Sequence, residues 1–299
     1  MAGVSTLVGS VEPGKVWIRG NIYTANSSSP TLSPGQMMAG YRAPALVNAT
    51  GHYFTVTPPT YEEFDVSQVV NVKDVSDYPV VGDGVTDDTL SLQAILNTST
   101  GKILYFPHGI YIIKDTLLVP PGSRLVGESW SQFSASGEKF SDPKKPTPMI
   151  RFGNPGDVGV AQITDFVLTV DDILPGAVLL EVNMAAARPG DVGIFNTHFD
   201  ISGMAGSKVQ TNPACWNSPL TCNAARLCAH FTPSASVYVE NSWAWAADHD
   251  VDFGTGGQPS SGGGFLVEST NGTWILGVGS GKSSLLFHFL SLLLNTWLI

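Results

Sequence analysis

From Ile103 onward the chain is a rapid succession of short apolar runs cut by proline and glycine, and few folds accept such a pattern. Ile103 to Phe106, Ile110 to Ile113, Thr116 to Val119 and Arg124 to Val126 follow one another closely, with Pro107, Pro120, Pro121 and Gly122 between them. Further runs are Met149 to Phe152, Ile163 to Val170, Val178 to Val182, Val192 to Phe195, Leu227 to Phe231, Ser236 to Glu240, Phe265 to Glu268 and Trp274 to Val278. Each is too short for a stable helix and right for a strand. Strands this short, with no helices between them, build a sandwich, a barrel or a solenoid. No exact repeat period separates these three. A core large enough to hold them is affordable, because 43% of the residues are hydrophobic and only 13% are charged. Disordered chains have the reverse balance.

One segment reads as helical. Gly82-Asp83-Gly84 is a turn, because glycine accepts positive φ and aspartate bonds its own backbone. Thr86 or Asp87 is placed to cap the helix that follows, and the acidic residues favour its positive end. Leu90, Leu92, Ala94, Ile95 and Leu96 supply its apolar face, giving a short helix near 87–97 of about three turns. Upstream, residues 1–65 are rich in Ser, Pro, Gly and Thr and contain only β-like pieces, Lys15 to Ile18 and Tyr53 to Val56. They read as the end of a preceding domain plus a linker, with the main domain over 66–282. Residues 283–299 are an apolar tail, about one membrane span at most, interrupted by His288 and Asn295. The composition breaks abruptly after Gly281, which favours a shifted gene end over a tail anchor. Met1-Ala2-Gly3-Val4-Ser5 has neither the basic region nor the apolar core of a signal peptide.

Charge and cysteine usage narrow the partners. A net charge of −10 without any basic run excludes phosphate-backbone binding, so no nucleic-acid partner is expected. Cys215, Cys222 and Cys228 lie within fourteen positions and match no zinc spacing. One disulfide plus one free thiol is the natural reading in an oxidising compartment, with three reduced buried thiols as the alternative. Sequons at Asn26, Asn48, Asn97 and Asn271 agree with secretion. Gly279-Ser280-Gly281-Lys282-Ser283 imitates a phosphate loop, but Leu276 stands where that loop requires glycine.

Three motifs in register resemble the pectate-lyase-like β-helix superfamily. They are Lys73-Asp74 with Gly82 to Thr89; Tyr105-Phe106-Pro107 with Gly109 and Tyr111; and Val119-Pro120 with Gly122 and Val126-Gly127-Glu128. A narrower resemblance, over roughly residues 10–279, is to glycoside hydrolase family 55, the fungal exo-β-1,3-glucanases. It is carried by Asp165-Phe166, Pro175-Gly176-Ala177, Asn196 to Phe199 with Gly203, Ala205 and Gly206, Ala224-Ala225-Arg226, Val239 to Trp245, Ala247 to Asp250, Gly264 to Thr270 and Gly272-Thr273-Trp274. The resemblance implies an all-β, right-handed parallel β-helix with the one short capping helix. It implies two such helices in tandem with the active site between them, of which this chain carries the end of the first and most of the second. The implied protein is secreted and monomeric, needs no cofactor or metal, and hydrolyses β-1,3-glucan from the chain end with inversion. With the first helix outside the chain, weak or absent activity is expected of the chain itself. No membrane partner is expected apart from the tail at 283–299.

Inverting glycosidases use two carboxyl groups, one protonated as acid and one ionised to activate water. Glu240 and Glu268 each follow an apolar strand, and the resemblance makes Glu268 the proton donor and Glu240 a second active-site carboxylate. Trp243, Trp245 and Trp274 lie near them in sequence, and indole faces suit the apolar faces of sugars. Ordinary core packing is the competing reading for each indole. Asp248, His249, Asp250 and Asp252 form a polar cluster for substrate contact or for a hydrogen-bonded turn. Calcium chemistry at that cluster would instead make the protein a polysaccharide lyase, a reading weakened by the scarcity of Lys and Arg that acidic uronans require. A non-catalytic glycan-binding or structural β-helix is the remaining alternative.

Overall fold

A computed structural model describes residues 15–22, 29, 31–39, 44–202, 207–217, 221–246, 259–281, 290–291 and 296–298. Two large parallel sheets dominate it, one of thirteen strands and one of seven. The larger sheet is bent lengthwise into two faces. Ser123–Ala135 and Ala161–Val170 run through both faces, whereas later turns of the chain divide into separate strands: Val192–Phe195 and His198–Asp200, then Tyr238–Glu240 and Trp243–Trp245, then Thr273–Leu276 and Gly279–Gly281. The smaller sheet stacks Leu117–Val119, Thr147–Phe152, Leu174–Val182, Asn223–Phe231 and Phe265–Val267. The chain therefore visits first face, second face and third face in repeating order, always pairing in parallel. That arrangement fits a parallel β-helix.

Parallel in-register stacking puts equivalent side chains directly over one another, and alternation sends every second one inward. On the first face Leu104, Leu125, Ile163, Ile194, Val239 and Ile275 form one aliphatic column, each at most 1% exposed. On the third face Val119, Phe152, Val182, Phe231 and Val267 form another. On the second face Phe133 and Phe166 stack at 4.8 Å and 6°, with Phe106 edge-on to both. Each fully buried aliphatic or aromatic residue contributes roughly 1.5–3 kcal/mol.

The bend between the first two faces has a local cause. Asp165, Asn196, Asn241 and Gly277 all take positive φ, at 64°, 44°, 53° and 60°. Asn, Asp and Gly are the residues that tolerate this region. Their side chains form a ladder: Asn241 Nδ2 donates to Asn196 Oδ1 at 2.9 Å, and Asn196 Nδ2 donates to Asp165 Oδ1. The sequence pattern predicted most first-face and third-face strands and, on the second face, Ile110–Ile113 and the far half of Ala161–Val170, but gave no strand to 131–135, 198–200, 243–245 or 279–281, also on the second face.

The helix spans Thr89–Thr98, against the expected 87–97, and packs on Leu117–Val119. Leu92, Ile95 and Leu96 are buried as expected, but Leu90 is 84% exposed and leaves the apolar face. Neither Thr86 nor Asp87 occupies the cap. Asp88 does, and its carboxylate turns away from the helix to accept Val81 N at 2.8 Å and Gly82 N at 2.9 Å. The expected turn at Gly82 to Gly84 begins the strand Asp83–Asp87, with both glycines at positive φ.

Upstream, Lys15–Ile18 pairs antiparallel with Gln36–Ala39, and Asn21–Ile22 with Thr31–Leu32. Tyr53 to Val56, expected to be strand-like, makes only an isolated bridge between Val47 and Tyr53. This segment is a strap across the outside of the first face. Leu46, Tyr53, Phe54 and Val56 pack on Phe195, Tyr238 and Trp274, so packing continues across the expected boundary at residue 65. At the other end, the backbone of Leu290–Ser291 pairs with Leu266–Val267 and that of Thr296–Leu298 with Thr273–Ile275. No helix among the described residues is long and apolar enough to cross a membrane. Cys215 and Cys222 form the disulfide, and Cys228 is a free, buried thiol whose pKa burial pushes up to about 12.

Candidate active site

Inward positions of the third face are apolar, and the outward position between two of them carries a charged column. Ile150-Arg151-Phe152, Leu180-Glu181-Val182 and Ala229-His230-Phe231 lie in register on neighbouring strands. Arg151, Glu181 and His230 therefore stand side by side, and Glu268 follows at the end of the next strand, its N–H donating to Phe231 O at 2.8 Å. His230 Nε2 lies 2.7 Å from Glu268 Oε2, and His230 Nδ1 lies 3.6 Å from Glu181 Oε2. Glu181 Oε1 accepts from Arg151 Nε at 2.8 Å and from Asn183 Nδ2 at 2.7 Å.

These contacts set the protonation. Burial opposes ionisation of Glu181, but hydrogen bonds from His230, Asn183 and Arg151 overcome it and hold the carboxyl down at about 2. Burial likewise opposes a charged His230, yet the flanking Glu181 and Glu268 raise its pKa above the ordinary value. The imidazole is thus a proton-bearing bridge between an anchored carboxylate and the more exposed carboxyl of Glu268, whose side chain is 36% exposed.

Glu240 sits elsewhere. It ends a first-face strand, level with Phe195 and Leu276, and its Oε2 accepts the Tyr238 hydroxyl at 2.8 Å. Burial and the Glu240 carboxylate push that phenol up to about 12. A cavity of about 640 Å³ opens beside Glu240, walled by Pro58, Thr164, Asp165, Asn196 and Asn241. Glu240 and Glu268 therefore leave different sheets and share no hydrogen-bond partner.

The three expected tryptophans divide. Trp243 and Trp245 point outward from one second-face strand and stack at 4.6 Å and 7°. Trp243 is 44% exposed. Its indole leans over the next rung, where a Cβ at Gly279 would lie 3.1 Å from Trp243 Cδ1. The sequence Gly279-Ser280-Gly281, which imitates a phosphate loop, is here the bare strand that makes room for two indoles. His198 precedes Trp243 in register, and its ring lies 4.6 Å from that of Trp130, another exposed indole. Burial lowers the His198 pKa. Trp274, in contrast, is only 3% exposed, and its indole N–H donates to Leu46 O at 3.2 Å. It packs under Phe54 and presents no face to a sugar, which corrects the expectation of a binding role. Asp248, His249, Asp250 and Asp252 lie outside the described residues. Sequence reasoning missed Arg151, Glu181 and His230. Their signal was available: three successive third-face strands each carry a single polar residue between apolar neighbours.

Residues 69–211 match the family described as rhamnogalacturonase A/epimerase, pectate lyase-like. A probable glucan endo-1,3-beta-glucosidase of Arthroderma benhamiae is 36% identical over 80% of the chain and 28% of its own length. A glucan 1,3-beta-glucosidase of Cochliobolus carbonum is 34% identical over 91% of the chain and 35% of its own length. A non-secreted LysM effector, LysM15, of Penicillium expansum is 36% identical over 93% of the chain and 20% of its own length. The chain thus spans about a third or less of the length of these relatives. Over most of its own length it is homologous to fungal glucan 1,3-β-glucosidases, and its pectate-lyase-like segment agrees with glycoside hydrolase family 55.

Proposed function

We propose that the chain carries the general acid of a right-handed parallel β-helix enzyme that hydrolyses β-1,3-glucan from the chain end, with inversion, outside the cell. The observation that carries this reading is the Glu268–His230–Glu181 relay on the outward side of the third face. Glu268 is the general acid. It gives its proton to the glycosidic oxygen as the bond breaks, while water bonds to the anomeric carbon from the opposite face and loses its proton to solvent. His230, reprotonated from solvent, returns a proton to Oε2 through the 2.7 Å contact. Glu181, held ionised by Arg151 and Asn183, keeps the imidazole oriented and favours its charged form. The names of the relatives supply the glucan substrate, and the stacked, outward-facing Trp243 and Trp245 suit a neutral sugar chain. The Cys215–Cys222 disulfide supports an oxidising compartment. Glu240, at another corner of the coil, is not assigned as the base.

Incubation with laminarin, followed by proton NMR of the anomeric signals, tests the proposal. Slow release of glucose as the α-anomer, and its loss in Glu268→Gln, is the expected outcome. Initial β-glucose would refute inversion, and unchanged turnover in Glu268→Gln would remove the acid assignment. No release of sugar at all would refute hydrolysis by this chain.

A further inference from the structure

Three of the four acceptor sequons fall on described residues, and their amides are in different states; Asn26 lies outside them. Asn271 Nδ2 already donates to Ser234 O at 3.4 Å and to Ala235 O at 3.3 Å. The hydroxyl of that sequon belongs to Thr273, which is fully buried, with its Oγ1 2.6 Å from Ser269 Oγ. The Asn97 sequon begins on the last turn of the Thr89–Thr98 helix, and its hydroxyl residue, Ser99, is 6% exposed. Asn48-Ala49-Thr50 is arranged otherwise. Asn48 Oδ1 accepts from Thr50 N at 3.0 Å, from Thr50 Oγ1 at 2.7 Å and from His52 N at 3.1 Å. The backbone closes the same turn, with Asn48 N donating to His52 O at 2.8 Å and Gly51 N to Asn48 O at 2.9 Å. A carboxamide offers its oxygen as acceptor and its nitrogen as donor. The turn engages only the oxygen, and among the described residues Nδ2 has no hydrogen-bond partner.

A second observation concerns the place. Residues 48–52 are all exposed and form the tip of the strap. The strap is anchored on both sides of this tip. Leu46 is 3% exposed and its O accepts the Trp274 indole N–H, and Phe54 packs on Tyr238 and Trp274. Exposed loop tips are preferred sites of proteolytic nicking, and a cut here would separate the two anchors. We propose that Asn48 is an N-glycosylation site and that its glycan shields the strap from proteases. The proposal rests on the extracellular location in the proposed function, because the glycan is transferred in the secretory path. In that transfer, Nδ2 attacks C1 of the first sugar of a lipid-diphosphate-linked oligosaccharide. The N–C1 bond forms and the C1–O bond to phosphate breaks. The lipid diphosphate leaves with that electron pair, and one Nδ2 proton passes to a base of the transferase. The three bonds to Asn48 Oδ1 survive the transfer, whereas at Asn271 it would remove an N–H from the carbonyls of the preceding coil.

The test is export of the full chain from yeast behind an added secretion leader, so that the chain meets the transferase whatever its natural location. Peptide N-glycosidase in heavy-oxygen water converts each occupied Asn to labelled Asp, and peptide mass spectrometry reads the three sites. Asn48 should be occupied in most molecules, and more fully than Asn97 or Asn271. Thr50→Val removes the sequon hydroxyl and should abolish the label at Asn48. Asn48→Asp keeps the oxygen that the turn uses and removes the amide. It should be cut by thermolysin within 48–52 several-fold faster than the glycosylated protein, and at the same rate as the wild type after enzymatic glycan removal. A bare Asn48, or Asn271 occupied as fully, would overturn the site assignment. Equal cleavage of Asn48→Asp and glycosylated protein would overturn the shielding role. An occupied Asn48 in a protein that releases no sugar from laminarin would support the site and refute the hydrolase. Protein recovered unmodified from inside the cells of its native source would overturn the extracellular reading, and natural modification of Asn48 with it.

Discussion

Replacing Glu181 by Gln removes one charge from the middle of the third-face column and leaves its shape intact. The Glu181 carboxyl falls from an ordinary pKa of 4.5 to about 2. Each unit corresponds to about 1.4 kcal/mol, so its ionisation adds roughly 3 kcal/mol to folding at neutral pH. The side chain is 15% exposed, so solvent screening removes little of this. A depressed carboxyl stabilises fully above its unfolded value and loses that contribution as pH falls through the folded value. Wild-type stability should therefore drop between about pH 4.5 and 2. His230 has the opposite sign. Its raised pKa stabilises fully below about 6.5, and the contribution disappears as pH rises through the folded value. Urea unfolding at about pH 2.5, 5.5 and 8.5 separates these effects. Glu181→Gln should cost about 3 kcal/mol at the middle pH and much less at the lowest. Equal midpoints for variant and wild type near pH 5.5, or a difference that persists undiminished in acid, would refute the assignment of the column as a charge-coupled unit.

Trp243→Ala should weaken laminari-oligosaccharide binding about tenfold, the equivalent of one lost stacking contact of about 1.4 kcal/mol, measured by fluorescence titration. Phe54→Ala should loosen the strap, giving faster proteolytic cleavage within 44–64 and stronger quenching of Trp274 by acrylamide, with the third-face column unaffected. Asp88→Ala leaves the Val81 and Gly82 N–H groups without their acceptor and should cost about 1–3 kcal/mol in a urea titration. Thiol titration of the oxidised native protein should find Cys228 unreactive and release one thiol on unfolding.

The sequence by itself determined that the chain is a run of short strands with its longest helix near residue 90, because the proline and glycine punctuation is local, whereas the four-residue helices Lys208–Thr211 and Ala214–Asn217 were not read from it. It also carried the disulfide-plus-thiol expectation and the family resemblance. Three of the second-face strands were not legible. His198–Asp200, Trp243–Trp245 and Gly279–Gly281 are three residues each and begin after a left-handed residue, and only the neighbouring coils supply the hydrogen bonds that make them strands. The tertiary structure alone decided the fate of the candidate residues. Trp274 and Trp243 have the same chemistry and similar flanks, but the strap buries one and a bare glycine rung exposes the other. Arg151, Glu181, His230 and Glu268 span more than a hundred positions in sequence. Arg151, Glu181 and His230 become neighbours because parallel coils bring one residue of each turn to the same outward position, and Glu268, two residues past the Leu266 that pairs with His230, reaches the imidazole from the end of the next strand, so their coupling is a property of register that no local window contains.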